Sequence, residues 1–209
     1  PEKITLSFGL LGVSMVIAVV AGISFGAIAA QYQRSQWSTF VIVLSIIGVS
    51  VPSFFLALLL QLGLTRLSKL VGHTILPVGG FGWDAHIILP AIVLAARPLA
   101  QITRITFVTL KEQLGKDYVR TAFGKGLRKR TVMNRHVIKN AAIPILTTIG
   151  LSLRFALSSL PVVEFFFGWP GLGFTLLKSI SHWDEKLTTA LVISLGLIFI
   201  LINMLLEIA

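Results

Sequence analysis

Few side chains in this sequence are spaced for acid–base, nucleophilic or metal chemistry. The chain has no cysteine, and its four histidines include no pair four residues apart, the spacing that places two metal ligands on one helical face. The glutamates nearest to the long apolar stretches, Glu164 and Glu207, are expected at opposite faces of a membrane. Gly124-Lys125-Gly126 lacks the spacing of a phosphate-binding loop. We therefore predict no catalytic residue, no metal site and no cofactor bound by this chain, and no ATP hydrolysis by it.

The composition places the chain in a membrane. Hydrophobic residues make up 55% of the 209 residues and charged residues 12%, whereas soluble domains average roughly 25% charged residues. Lys and Arg number 18 against 8 Asp and Glu, a net charge of +10. In a chain this apolar, the excess indicates basic cytoplasmic loops and not nucleic-acid binding. We predict a multi-pass membrane protein in contact with the lipid bilayer.

Long stretches without charge predict the spans, because about 20 apolar residues cross a bilayer as a helix. We expect an all-α membrane helix bundle with five spans, at about residues 4–33, 36–65, 86–110, 140–163 and 187–207. The segment 164–180 contains Pro170 and three glycines in an uncharged run too short to cross, and is predicted to be an outer re-entrant segment. The chain starts at Pro1 and stops after a span, so we interpret it as a fragment whose residues 1–209 form a single transmembrane domain.

The basic residues are concentrated in one loop, residues 111–139, which holds nine Lys and Arg against two acidic residues. Short cytoplasmic loops of membrane proteins accumulate Lys and Arg, so this loop is predicted to be cytoplasmic, together with the short loop around Arg34. Residues 66–86 and 164–186 would then face outside. The N-terminus of the chain would lie outside and its C-terminus in the cytoplasm.

The cytoplasmic loop carries a pattern beyond its charge. Val119, Ala122 and Phe123 fall at i, i+3 and i+4 and predict one apolar face of a short helix, which Gly124 and Gly126 end. A second helical stretch leads back into the membrane, and one side of it carries Val132, His136, Val137 and Asn140. Two interpretations stay open: a topology anchor held near anionic lipid headgroups, and a structured surface on which another protein docks.

Polar or helix-breaking residues inside the apolar stretches are candidates for function in the membrane. A charge at the centre of a membrane helix costs about 2.5–3.5 kcal/mol on insertion scales, so Arg97 and Arg154 each predict a function there. Arg154 suits a pore wall, or else pairs with a carboxylate or carbonyl of a second subunit, whereas Arg97 marks a gate or a kink. Pro52 would kink a helix and free a backbone carbonyl, either as a hinge or as a packing kink repaired by Ser53.

Three motifs lie in order along the chain: Val51-Pro52-Ser53-Phe54, residues 117–144 and residues 163–173. The middle motif contains Tyr118-Val119-Arg120-Thr121-Ala122, Lys125-Gly126-Leu127, Arg135-His136, Asn140-Ala141 and Pro144. Together the motifs resemble the permeases of ABC importers, in particular the dipeptide/oligopeptide/nickel subgroup. The chain departs from the wider family pattern at two positions, since Arg120 replaces a glutamate and Lys139 replaces a proline.

The resemblance implies a permease of the type I importer fold, commonly with six spans, of which five are visible here. It implies several partners: a second related permease that shares the pore, one or two kinds of cytoplasmic ATPase subunit that use ATP and Mg²⁺, and an external substrate-binding protein. The substrates would be di- or oligopeptides, in the plasma (inner) membrane of a prokaryote. The alternatives are nickel, glutathione or antimicrobial-peptide transport within the family, and a passive channel or membrane scaffold with a lipid-binding basic loop.

The resemblance also assigns residues to two sites. The ATPase-coupling residues would be Tyr118, Arg120, Thr121, Ala122, Gly124, Gly126 and Leu127. The candidates for the translocation path or gate are Pro52, Ser53, Arg97, Arg154, Glu164, Trp169, Pro170 and Gly171. The last four form either the external mouth of a pore or an interfacial loop with an aromatic anchor.

Overall fold

The computed structural model describes residues 2–33 and 35–208, and every regular element in this part of the chain is helical. The α-helices are α1 (Glu2–Gln31), α2 (Gln36–Ser50), α3 (Ser53–Val71), α4 (Ile88–Leu114), α5 (Asp117–Gly124), α6 (Lys129–Val132), α7 (Ile138–Phe167), α8 (Leu172–Ser181) and α9 (Glu185–Ile208). A 3-10 turn (Ala85–Ile87) precedes α4, and a π-turn (Met133–Val137) lies between α6 and α7. Arg34, in the predicted short cytoplasmic loop, lies outside the described residues.

Five helices in the described residues are long and apolar enough to cross a membrane: Glu2–Gln31, Ser53–Val71, Ala85–Leu114, Arg130–Phe167 and Glu185–Glu207. Large apolar side chains are exposed along them, and the apolar window of α9 has no buried residue. Monomeric soluble proteins rarely expose so much contiguous apolar surface, whereas lipid-facing helices require it. The prediction of an all-α membrane helix bundle with five visible spans is confirmed.

The structure corrects the predicted second span, residues 36–65, which is not one kinked helix. α2 ends at Ser50 and α3 begins at Ser53, with Pro52 between them in an extended conformation (φ −63°, ψ 142°). Proline has no N–H to donate within a helix and disfavours the α conformation of the residue before it, so the helix ends instead of bending. The carbonyl of Pro52 then accepts the N–H of Leu56 (3.1 Å) and starts α3, which continues to Val71.

The structure also corrects the start of the outer segment, predicted at residue 164. α7 runs on to Phe167, so Glu164 lies in its last turn, and α8 begins only at Leu172. Gly168 follows α7 with φ +68°, a left-handed conformation that glycine adopts without steric cost. Glu164 is buried in this last turn, and the hydrogen bonds that its carboxylate oxygens accept offset the cost of burying them.

The chain divides into two compact units. Unit 1 comprises Pro1–Val16, Val51–Arg97 and Leu153–Ala209, and unit 2 comprises Ile17–Ser50 and Pro98–Ser152. Helices α1, α4 and α7 therefore contribute residues to both units. The core of unit 1 includes Leu10, Leu94, Val163, Phe167 and Trp169. The core of unit 2 includes Leu110, Val119, Val132, Val137 and Ala141.

Candidate functional site

Helix α5 packs one side against unit 2. Val119 is 1% exposed and Ala122 is buried, and both belong to a cluster with residues of α4, α6 and α7. Phe123, which we predicted on the same apolar face, is instead 44% exposed. A helix of two turns lying on the surface buries a narrow stripe, and Phe123 falls at its edge. The coupling candidate Ala122 therefore holds α5 in place, while Phe123 faces outward.

The outward side of α5 combines apolar and basic side chains. The name α5 surface is used below for six exposed residues of α5 and its cap: Tyr118, Arg120, Thr121, Phe123, Gly124 and Leu127. The side chain of Arg120 is 77% exposed, and its guanidinium lies 3.6 Å from the Asp117 carboxylate. An ion pair this exposed contributes about 0–1 kcal/mol. Arg120 is therefore free to exchange Asp117 for an acidic group of another molecule.

A Schellman motif ends α5. The N–H of Leu127 donates to Ala122 O (3.2 Å) and the N–H of Gly126 donates to Phe123 O (2.9 Å), which are the two hydrogen bonds of this cap. Gly126 has φ +77°, a conformation that costs an L-residue roughly 1–2 kcal/mol. Gly124 is the last residue of the helix. Of the two glycines predicted to end α5, Gly124 closes the helix and Gly126 takes the left-handed position of its cap.

Tyr118 links α5 to the neighbouring segments of unit 2. Its hydroxyl donates to Gln113 Oε1 at the end of α4 (2.6 Å) and accepts from Asn140 Nδ2 in α7 (3.3 Å). Asn140 Nδ2 also donates to His136 O in the π-turn (2.8 Å). Gln113 and these contacts of Asn140 are not predictable from the sequence pattern, because the π-turn that brings them together leaves no periodic signal. Side-chain hydrogen bonds thus connect α5 with both α4 and α7.

Two charged groups outside the spans have shifted pKa values. The hydrogen bond from Lys116 to Glu112, with 2.9 Å between Nζ and Oε1, raises the pKa of Lys116 just before α5. The backbone N–H of His86, and then its ring, lower the pKa of Asp84 before α4. Among residues 2–33 and 35–208, no three His, Asp or Glu side chains are grouped closely enough to hold a metal ion.

In unit 1, Glu164 is fully buried and caps α8. Its Oε1 accepts the Ser7 hydroxyl (2.5 Å) and its Oε2 accepts the N–H of Phe174 in the first turn of α8 (3.0 Å). The Ser7 hydroxyl oxygen accepts the N–H of Leu172 (2.8 Å). The first N–H groups of a helix have no partner within it and carry partial positive charge, so a carboxylate stabilises this end. Glu164 thus joins α1, α7 and α8.

The turn Trp169-Pro170-Gly171 completes this corner. Trp169 is fully buried, its Nε1–H donates to Leu6 O (3.1 Å), and its ring packs edge-on against Trp83 (5.4 Å between centroids). A Cβ at Gly171 would overlap both carboxylate oxygens of Glu164, so a side chain does not fit beside the cap. These contacts explain the turn as a closely packed corner between α7 and α8. The position of these residues at the mouth of a pore stays a prediction.

Two of the arginines inside the spans, Arg97 and Arg154, each keep one hydrogen-bond donor without a partner among the described residues. The guanidinium of Arg97 lies over the ring of Phe155, 4.3 Å from its centroid. Arg154 donates to Glu207 of the same chain (3.4 Å), and a partner on a second subunit stays a prediction. The Nε atoms of both arginines are buried without a hydrogen-bond partner among the described residues.

The last two path candidates, Pro52 and Ser53, lie at the break between α2 and α3. The predicted repair of the backbone by a serine falls to a different residue, because the hydroxyl that bonds the helix before the break is that of Ser50, which donates to Ile46 O (2.9 Å). The boundary between unit 2 and unit 1 lies at the same place, between residues 50 and 51.

Comparison with known proteins places the chain in a family. The family described as "Binding-protein-dependent transport system inner membrane component" matches residues 22–209. The chain belongs to this family. It is therefore a multi-pass component of an inner membrane, and the predicted resemblance to permeases of binding-protein-dependent ABC importers is confirmed. The orientation of its termini stays a prediction.

Its relatives include permeases named for peptides and for glutathione. The chain is 32% identical over 208 residues to a probable peptide ABC transporter permease protein of Sinorhizobium fredii, covering 98% of this chain and 66% of the relative. It is 36% identical over 201 residues to a glutathione transport system permease protein of Pectobacterium atrosepticum, covering 96% and 64%. A putative peptide transport system permease protein of Brucella abortus is 34% identical over 215 residues, with 99% and 67% covered. The chain thus spans about two thirds of the length of these relatives.

A solved structure shows the same fold. It is described as the crystal structure of an amino acid ABC transporter with histidines, and it matches with a TM-score of 0.70 at 16% identity, covering 99% of this chain and 90% of that chain. The chain has the type I permease fold, as predicted.

Proposed function

We propose that this chain forms half of the translocation pore of an ATP-driven importer for di- or oligopeptides. The family, the relatives named for peptides and glutathione, and the α5 surface support this function. The observation that carries the proposal is the division of α5 into two sides. Val119 and Ala122 fix the helix to unit 2, while Phe123, Leu127 and Arg120 are exposed beside each other.

The α5 surface is suited to docking a cytoplasmic ATPase subunit. Protein interfaces are enriched in aromatic residues and Arg, with apolar contact at the centre and charge at the rim. Phe123 and Leu127 supply the apolar part, and Arg120 supplies a charge that a weak pair leaves available. ATP and Mg²⁺ would be bound, and ATP hydrolysed, by separate subunits on the cytoplasmic side.

The same helix is suited to passing movement into the membrane. A force on α5 reaches α4 and α7 through the buried Val119 and Ala122 and through the hydrogen bonds of Tyr118. Close-packed interiors transmit displacement because they have low compressibility. The cap at Gly126 ends α5 after two turns, so the helix that moves is short. The break at Pro52 and Ser53, between α2 and α3, serves as a hinge.

The path itself would be shared with a second related permease and filled from an external substrate-binding protein. Ionisable residues within membrane spans face the bundle interior or a water-filled cavity, so Arg97 and Arg154 belong on the path. Both would bind the carboxylates of a peptide, because a guanidinium binds a carboxylate through two parallel hydrogen bonds. Two arginines favour peptides, including glutathione, over a nickel ion, which they would repel. The corner built on Glu164, Trp169, Pro170 and Gly171 would support the wall of the path.

Co-purification tests the docking role. The chain is co-expressed with its sister permease and ATPase subunits, and we measure ATPase recovery in detergent and peptide-stimulated ATP hydrolysis. Phe123→Ala and Arg120→Gln should lose both. Phe25→Ala is the matched control, since Phe25 in α1 is also 44% exposed, and Lys139→Gln controls for the loss of one exposed basic residue of the same loop.

The outcomes separate docking from lipid anchoring. A lipid anchor predicts equal effects of Arg120→Gln and Lys139→Gln and no effect of Phe123→Ala. Docking predicts that both controls keep the ATPase. If the folded wild-type chain recovers no ATPase subunit, the proposed function is wrong.

A further inference from the structure

Trp183 holds a backbone conformation that normally belongs to glycine. It is the one non-glycine with positive φ (+57°) among residues 2–33 and 35–208. Its N–H donates to Ile180 O (3.2 Å), and the N–H of Asp184 donates to Ser179 O (3.0 Å). These are the two hydrogen bonds of a Schellman cap, so Trp183 has in the cap of α8 the position that Gly126 has in the cap of α5. For a bulky residue this conformation is strained.

The described part of the chain does little to offset this strain. Trp183 is 88% exposed, whereas Trp169 is fully buried and packs against Trp83. A large aromatic side chain held outward on a strained backbone is stabilised only by a surface outside the chain.

The position of Trp183 identifies that surface. Charged or titratable residues surround it in the sequence: Lys178, His182, Asp184, Glu185 and Lys186. The span Glu185–Glu207 begins two residues later, and none of its apolar window is buried. The residue between a charged segment and an apolar span lies at the headgroup level of a bilayer. Tryptophan is enriched at that level, because its ring is apolar and its N–H finds polar partners there.

We propose that Trp183 is an interfacial anchor that binds the headgroup layer of the bilayer and fixes the depth of the α8–α9 corner. The anchor is needed because few described hydrogen bonds tie α9 to the other helices. Near its start, the hydroxyls of Ser179 and Thr188 are 2.9 Å apart, and near its end Glu207 accepts from Arg154 (3.4 Å). A displacement of α9 along its axis would break both contacts. This role does not depend on which substrate the transporter carries.

Fluorescence tests the anchor in the complete transporter reconstituted in phosphatidylcholine vesicles. The difference in emission between wild type and Trp183→Phe isolates Trp183 from the other three tryptophans. The difference emission should be blue-shifted relative to tryptophan in water. It should be quenched strongly by lipids brominated near the headgroup and weakly by lipids brominated near the terminal methyl.

Two results would overturn the proposal. Emission quenched by iodide but by neither lipid would place Trp183 in water, as on a surface that meets an external protein. Emission quenched by neither lipid nor iodide would place it against another subunit.

A labelling experiment tests the depth directly, since the chain has no cysteine. Leu187→Cys in the first turn of α9 is labelled with an impermeant maleimide in permeabilised vesicles, with Trp183 or with Trp183→Gly. The labelling rate should change several-fold with Trp183→Gly, although glycine relieves the backbone strain. Thr74→Cys, at an exposed position in the loop after α3, is the control and should label at the same rate in both backgrounds. Equal rates at Leu187→Cys would exclude a role of Trp183 in fixing the depth.

Discussion

The two glycines of α5 predict opposite effects of one substitution. Gly126→Ala forces alanine into φ +77°, which costs roughly 1–2 kcal/mol. Gly124→Ala lies in the last turn of the helix, where alanine is favoured over glycine by at most the ~0.5–1 kcal/mol found in helix interiors. A Cβ at either position meets no atom within 4 Å. Steric overlap therefore contributes to neither effect. The difference between the two substitutions measures the effect of backbone conformation alone.

Hydrogen exchange of the α5 amides measures this difference, because a two-turn surface helix opens locally before the protein unfolds. A change of 1–2 kcal/mol alters the opening equilibrium by about 5–30-fold. Gly126→Ala should therefore speed exchange of the Leu127 amide, whose acceptor is Ala122 O, by about 5–30-fold. Gly124→Ala should slow it by at most about two- to five-fold. Amides in the buried part of α1 should exchange equally in all variants.

The reasoning is refuted if Gly126→Ala leaves exchange unchanged or if both substitutions shift it in the same direction. Gly126→Asn should fall between glycine and alanine, since Asn tolerates the left-handed conformation better than other side chains. Under the proposed function, Gly124→Ala has a second use. It adds a methyl group to the α5 surface without disturbing the fold, so loss of the ATPase in this variant would locate the docked subunit over residue 124.

Three further predictions concern unit 1. Gly171→Ala should destabilise the protein by about 1–3 kcal/mol, because its Cβ overlaps the Glu164 carboxylate. A lower thermal midpoint of the purified protein would show this loss. Ser7→Ala should destabilise by a similar ~1–3 kcal/mol in the same scan, because it leaves Oε1 of Glu164 without its donor. In a carboxyl NMR titration, the pKa of Asp84 should lie below the usual value of about 3.9, so the stability it contributes is present above that value and is lost as the pH falls through the lowered pKa. His86→Ala should raise this pKa only part of the way, since the backbone N–H of residue 86, the larger cause, remains.

The α5 segment shows which features the spacing of nearby residues predicts and which it does not. The positions of Val119, Ala122 and Gly126 predicted a short helix with a buried side and a glycine end, and the structure has both. These features depend on neighbours within two turns, which the sequence displays directly. The contacts of Tyr118 with Gln113 and Asn140 depend on the π-turn, which returns the chain to α5, and no hydrophobic period predicts such a turn.

The errors at the span boundaries have one physical cause. Charge and hydropathy locate the apolar layer, and they predicted the number of visible spans. Helix ends, however, follow backbone hydrogen bonding. Pro52 ends α2 within an uncharged run because it lacks an N–H. The charged Glu164 does not mark the end of α7, since its buried carboxylate accepts hydrogen bonds from Ser7 and Phe174 and the helix continues past it. The hydroxyl of Ser7, polar within an apolar stretch, was the available signal for that distant partner.

The polar groups of the described spans thus fall into two kinds. Glu164 has hydrogen-bond donors at both carboxylate oxygens, so it joins helices and its loss is a loss of stability. Arg97 and Arg154 each keep a buried Nε without a partner in the described residues, and an unsatisfied donor costs free energy in the folded chain. Under the proposed function, the incomplete hydrogen bonding of Arg97 and Arg154 fits a role on the transport path. The complete hydrogen bonding of Glu164 fits a role in holding helices together.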